Sequence, residues 1–141
     1  MQKDSPIKDL SDLAGKTLAF PTPAAFAASL LVQAELRGRC IAFTPMVVKS
    51  HNSVYRSVAK GIFAAGGGVP RTFDLLDGTV RGDLRVLWET REFTTHAIAS
   101  RPGLDAQLRA RVWKAMRDMG ADPHGQELLK AIGFTGFDQA K

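Results

Sequence analysis

The sequence predicts an α/β fold built on a mainly parallel sheet, with helices layered against it. Three observations lead there. Short apolar runs alternate with helical stretches of about 10–15 residues, the pattern of βαβ units. Glycine or proline stands at most of the boundaries between them. No internal repeat or low-complexity tract competes with that alternation.

The elements follow in order. Lys16 to Phe20 (KTLAF), after Gly15, is a short buried strand. Thr22-Pro23 predicts a helix start, with a hydroxyl at the N-cap and proline in the first helical position, and Gly38 predicts its end. The body of that helix is apolar around most of its circumference, so it is expected to be covered on more than one side. Ala42 to Val48 reads as the next strand. Ser50 caps a helix carrying Val54 and Val58, and Gly61 ends it. Ile62 to Ala65 reads as a third strand, running into Gly66-Gly67-Gly68. Pro70 opens a short helix to Leu76, and Asp77-Gly78 turns the chain.

After Gly82 the character changes. Leu84 to Trp88 and His96 to Ala99 read as two strands. Asp105 caps a helix whose stripe is Leu108, Val112, Ala115, Met116 and Met119, read with Trp113 as core. Asp122-Pro123 starts a last helix, with Leu128, Leu129 and Ile132 apolar, which Gly133 ends. The predicted division is an extension over residues 1–9, an α/β lobe over 10–82, and a separate packing unit over 83–141.

The bulk properties narrow the function. The chain has 141 residues, 45% of them hydrophobic and 23% charged, an ordinary globular composition. No run approaches the ~18 apolar residues of a membrane span. Residues 1–10 carry Lys3, Asp4, Lys8 and Asp9 and lack an apolar core, so no secretory signal is expected in this chain. The single cysteine, Cys40, excludes an internal disulfide and reads as a small semi-buried hydrophobe. The net charge is +5. The basic residues are scattered, except for Arg109, Arg111, Lys114 and Arg117 on one helix, which reads as a solvated face. Nucleic-acid binding needs a contiguous positive surface, so none is expected.

Chemistry in a parallel α/β lobe gathers beyond the carboxyl ends of its strands. Three segments fall there. The first, Phe20 to Ala25, brings Thr22 and the helix start at Ala24, although Pro23 removes one donor. The second, Lys49-Ser50-His51-Asn52-Ser53, puts hydroxyls, an imidazole and an amide beside a helix N-terminus, which favours anions. The third, Gly66 to Thr72, has Gly67, where backbone can approach a ligand, then Arg71 and Thr72, which suit an oxyanion. No G-K-[ST] follows the glycines, so it is not a P-loop. His51, His96 and His124 lack metal-ligand spacing, and no nucleophile elbow or CxxC is present. No catalytic residue, metal or cofactor is therefore expected. His124 reads as solvated, and His96 as structural.

Four segments in this order resemble a known family. IKDLSDLAGKTLAFPTPAAF, Ile7 to Phe26, is similar to the I-x-D-L-x-D-L-x-G-K-x-V-A-F-x-x-P stretch of phosphate/phosphite/phosphonate-type solute-binding proteins of ABC transporters. Lys49 to Leu76, Leu84 to Met116 and Asp122 to Phe137 resemble later parts of the same family. The chain departs from it at Ala24, Ala25 and Phe26, where hydroxyl residues are usual, and at Ala64-Ala65, where Asp-Ala is usual. These departures suit a larger or less charged ligand.

The resemblance implies the C-terminal half of a type 2 periplasmic binding protein. Residues 10–82 would be its ligand-binding lobe, and 83–141 the hinge return and C-terminal helices that pack on the other lobe. It implies a solute-binding component that passes a small anion, such as a phosphonate or phosphate, to an ABC permease. The implied location is periplasmic or membrane-anchored outside the cytoplasm for the full-length protein. Two alternatives are a ligand-sensing domain of a signalling protein with this fold and a basic nucleic-acid-binding regulatory domain. Apolar helix faces left without the other lobe predict a homodimer.

Overall fold

The computed structural model describes residues 1–93 and 97–139. It divides into two compact units, Met1–Arg91 and Glu92–Lys141.

The first unit is organised around one short strand. The D-L-x-D-L motif leads into it as a single 3-10 turn, Leu10–Leu13. The Asp9 carboxylate accepts from the Ser11 N–H at 2.9 Å, and Asp12 accepts from the N–H groups of Lys8 and Asp9 at 2.8 and 3.1 Å. Hydrogen bonds from Ser11 hold the Asp9 carboxyl below the usual range, and those from Lys8 and Asp9 do the same for Asp12. Leu10 and Leu13 are thereby turned into the core. Gly15 then takes a left-handed φ of 71° and donates its N–H to the Ala42 carbonyl at 2.7 Å.

Strands β1 (Thr17–Phe20), β2 (Thr44–Val47) and β3 (Ala65–Gly66) make a parallel sheet in the order β2-β1-β3. β1 is central and alternates between two cores, as a period of two requires. Leu18 and Phe20 pack with Leu10, Leu13, Leu36 and Ile7. Ala19 packs with Val54, Tyr55, Val58 and Leu84. The three layers are thus α1 (Val32–Gly38) on one face and α2 (His51–Ala59) on the other. α3 (Pro70–Asp74) and α4 (Gly78–Gly82) follow β3. Residues 44–47 of β2 are exposed on both faces.

Several expectations are displaced by local physics. The first helix does not start at Thr22-Pro23. Those residues form a turn, and the helix begins at Phe26 as a π-helical turn, Phe26–Leu31, before tightening into α1. The carbonyl of Thr22 instead accepts the buried hydroxyl of Ser29 at 2.6 Å. Covering is also less complete than its composition suggests: Phe26 and Leu30 are exposed. At the other end, the left-handed residue after α1 is Cys40 (φ 58°), not Gly38. Ile41 N–H reaches the Leu36 carbonyl at 2.9 Å and Cys40 N–H reaches that of Arg37 at 2.9 Å, a Schellman closure. Cys40 is therefore carried out on a surface turn and is exposed, not semi-buried. β3 lies three residues later than predicted, because Ala64 only begins the pairing with Thr17.

Leu84 to Trp88 forms one antiparallel bridge, Gln2↔Leu84, and no longer strand. Among the described residues its pairing is with residues 1–3: Lys3 N–H donates to Asp83 O at 2.8 Å and Arg85 N–H to Met1 O at 2.9 Å. The Arg85 guanidinium reinforces this pairing by donating to the carbonyls of Lys3, Ser5 and Ile7.

The second unit contains α5 (Ala106–Asp118) and α6 (Pro123–Ala131), capped by Asp105 and Asp122 as expected. Of the predicted strand from His96 to Ala99, His96 lies outside the described residues, and 97–99 are not a strand. The predicted core stripe of α5 is largely open: Leu108 and Val112 are exposed, and Trp113 and Met116 are half-buried. Among the described residues of this unit, only Gly125 and Leu129 are buried. His124 is exposed.

The three successive glycines after Ala65 each meet a different neighbour. A Cβ on Gly66 would lie 2.4 Å from Val54, one on Gly67 1.7 Å from the Ala28 carbonyl oxygen, and one on Gly68 2.5 Å from the Tyr55 hydroxyl. At Gly67 the obstacle is backbone, so it cannot swing aside. Gly67→Ala is expected to cost roughly 3 kcal/mol of stability through overpacking. Gly38→Ala, where nothing lies within 4 Å, should be neutral or stabilise by about 0.5–1 kcal/mol. Urea unfolding of the two variants measures the contrast.

Candidate functional site

The three parallel strands place their carboxyl ends at one edge. Phe20 O accepts from Val48 N–H at 2.9 Å, and Ala19 O accepts from Gly67 N–H at 2.9 Å. The segments leaving β1, β2 and β3 therefore emerge side by side, which is where the candidate residues lie.

The β2 exit is the most polar. Lys49 takes a left-handed φ of 72°, which turns the chain so that Ser50 becomes the N-cap of α2. Ser50 Oγ accepts from Ser53 N–H at 3.0 Å, and the two hydroxyls lie 2.8 Å apart. Asn52 is exposed beside them. His51 is half-buried, and its Nδ1 is enclosed without a hydrogen-bond partner. Its ring stacks on Tyr55, with centroids 6.5 Å apart and planes at 30°.

The β3 exit is tied to α2. Gly67 is wedged against the π-helical turn at Ala28 and the Phe20 ring. Tyr55 Oη lies 2.7 Å from Thr72 Oγ1 and accepts from Val69 N–H at 3.1 Å. Arg71 is exposed on α3. The β1 exit has no comparable polarity. Thr22, Ala24 and Phe26 are exposed, and Ala25 at the N-cap gives no side-chain hydrogen bond.

Contacts therefore bring His51, Gly68, Val69 and Thr72 together around Tyr55. Ser50 and Ser53 adjoin them at the start of α2. Thr22 and Ala24 share the edge through the strand register. Sequence reading passed over Tyr55. Its signal was the chain's single tyrosine, four residues after His51 and so on the same helical face. No group of three or more His, Cys, Asp or Glu side chains suited to a metal occurs among the described residues. No helix among them is long and apolar enough to cross a membrane.

A three-layer parallel α/β lobe with helix starts gathered at one sheet edge, followed by a separate helical pair, is the architecture of part of a type 2 periplasmic binding fold. The XAC2383 protein of Xanthomonas citri, solved bound to chloride ion, has this fold: it is 23% identical, with a TM-score of 0.82, over 100% of this chain and 58% of its own. The chain thus spans little more than half the length of that neighbour. Among curated proteins, none matches the sequence. The family model for the periplasmic substrate-binding protein of phosphonate ABC transporters matches residues 1–141, and the chain belongs to that family.

Proposed function

We propose that this chain is the C-terminal half of a solute-binding component that delivers a small phosphonate-type oxyanion to an ABC permease outside the cytoplasm. The observation that carries this reading is the β2 exit: two paired hydroxyls, an imidazole and the free N–H groups of α2 at one strand end. Helix N-termini favour oxyanions because their N–H groups lack intrahelical partners. With Nδ1 enclosed, the polar contact of His51 with a solute falls to Nε2. Arg71 on α3 adds a fork within the same reading, and Thr72, whose hydroxyl donates to Val69 O, holds the start of that helix. Thr22 and Ala24 bound the site on the β1 side.

The β1 side also narrows the ligand. Phe26 is 54% exposed at the edge, next to Ala24 and Ala25. Apolar surface there complements an organic substituent better than a fourth oxygen. The proposed solute is therefore an organophosphonate in preference to inorganic phosphate. In a thermal-shift assay, methylphosphonate at about 100 times its Kd should stabilise the fold by roughly 2.7 kcal/mol. Inorganic phosphate should give less, and Ser50→Ala should reduce the response. Equal silence toward both anions would contradict the reading.

The helical pair supports the same picture. α5 exposes Leu108 and Val112, and α6 with its C-cap exposes Leu128 and Ile132. Within the longer protein, this surface is proposed to pack on the other lobe, and residues 1–3 with 83–85 form the paired hinge. Without that lobe, the same faces are proposed to join two copies of the chain, since patches of this kind seldom stay open to water. No role for nucleic acid is proposed. Light scattering at ~100 µM should report a dimer that Val112→Glu converts to a monomer; a monomeric wild-type chain would rule the dimer out.

A further inference from the structure

We infer that Tyr55 is a positioning residue of the oxyanion site, locking the α2 start and the Gly66–Thr72 segment into one unit. The inference rests on the reading of that edge given above. It comes from a hydrogen-bond chain that begins and ends on a single residue. Val69 N–H donates to Tyr55 Oη at 3.1 Å, Tyr55 O–H is placed to donate to Thr72 Oγ1 at 2.7 Å, and Thr72 O–H donates to Val69 O at 3.1 Å. Tyr55 Oη also lies 3.2 Å from Val69 O, a second acceptor for the same proton.

The placement gives this chain its consequence. Val69 is the N-cap residue of α3 and has no side-chain oxygen of its own to hold that helix start. Two borrowed hydroxyls do the work instead. Tyr55 is buried, its ring held between Phe73 at 5.6 Å and His51 at 6.5 Å. It thus fixes the His51 ring on one side and the backbone leading to Arg71 and Thr72 on the other. Gly68 has no side chain where its Cβ would strike the Tyr55 hydroxyl at 2.5 Å. The two polar segments of the edge are joined before any solute arrives, which lowers the ordering cost of binding.

Tyr55→Phe removes the hydroxyl and keeps the ring, so the core contacts survive. Two readouts are needed. Native-state hydrogen exchange should show faster exchange at the Val69 amide. Calorimetric titration with methylphosphonate, at a temperature where every variant is folded, should show a Kd weaker by roughly five- to tenfold, the size of a lost hydrogen-bond network. Phe73→Leu serves as the comparison: it loosens the packing on Tyr55 but keeps the hydroxyl, and its Kd should stay near wild type. A faster Val69 amide with an unchanged Kd in Tyr55→Phe would overturn the inference and leave the oxyanion reading standing. Equal weakening in Phe73→Leu would also overturn it, by showing that lost stability alone is responsible. Failure of the wild-type chain itself to take up methylphosphonate or phosphate would overturn the oxyanion reading, and this inference with it.

Discussion

Two backbone hydrogen bonds from β1, Phe20 O to Val48 N–H and Ala19 O to Gly67 N–H, make both neighbouring strands leave the sheet at the edge where β1 leaves it. The rest of the site depends on that shared direction. β1 is four residues long, yet both of its faces are buried, Leu18 and Phe20 toward one helical layer and Ala19 toward the other. A one-residue slip would send the large side chains to the face that accommodates only Ala19. The register is therefore set by side-chain volume, and the polar chemistry at the strand ends inherits its geometry from an apolar choice.

Close packing then does at the edge what β1 does in the sheet. Gly66, Gly67 and Gly68 sit against Val54, the Ala28 backbone and Tyr55, so the β3 exit is pressed onto α2 and onto the π-helical turn. Such a turn has one more residue than an α-helix would place there. The Ala28 carbonyl of that turn lies in the space a side chain on Gly67 would fill. Gly67, read from sequence as room for a ligand's approach, also makes room for the Ala28 backbone.

Much of this was legible in the sequence because it is local. The caps at Ser50, Asp105 and Asp122 follow from side-chain oxygens standing before apolar-periodic stretches. The left-handed ends at Gly61 and Gly133 follow from a residue without a Cβ. The order of strands and helices, and with it the family, could be read in the same way. What was not legible depended on partners distant in sequence. Thr22 looks like an N-cap until Ser29 takes its carbonyl. Leu84 to Trp88 has the composition of a strand but, among the described residues, pairs through a single bridge to Gln2. The stripe on α5 reads as core because a sequence cannot show whether its covering surface belongs to the same chain. Tyr55 was missed for a related reason: its importance lies in Val69 and Thr72, 14 and 17 residues away.

The central claim is that a small oxyanion binds at the edge where the three strands end. Titration of the isotopically labelled protein with methylphosphonate, followed through its backbone amide resonances, addresses that claim at residue level. Saturable shifts should concentrate at Ser50 to Ser53 and Gly67 to Thr72, with weaker ones at Thr22 to Phe26, while the amides of α5 stay in place. Shifts centred on α5 and α6, or none at any accessible concentration, would contradict it.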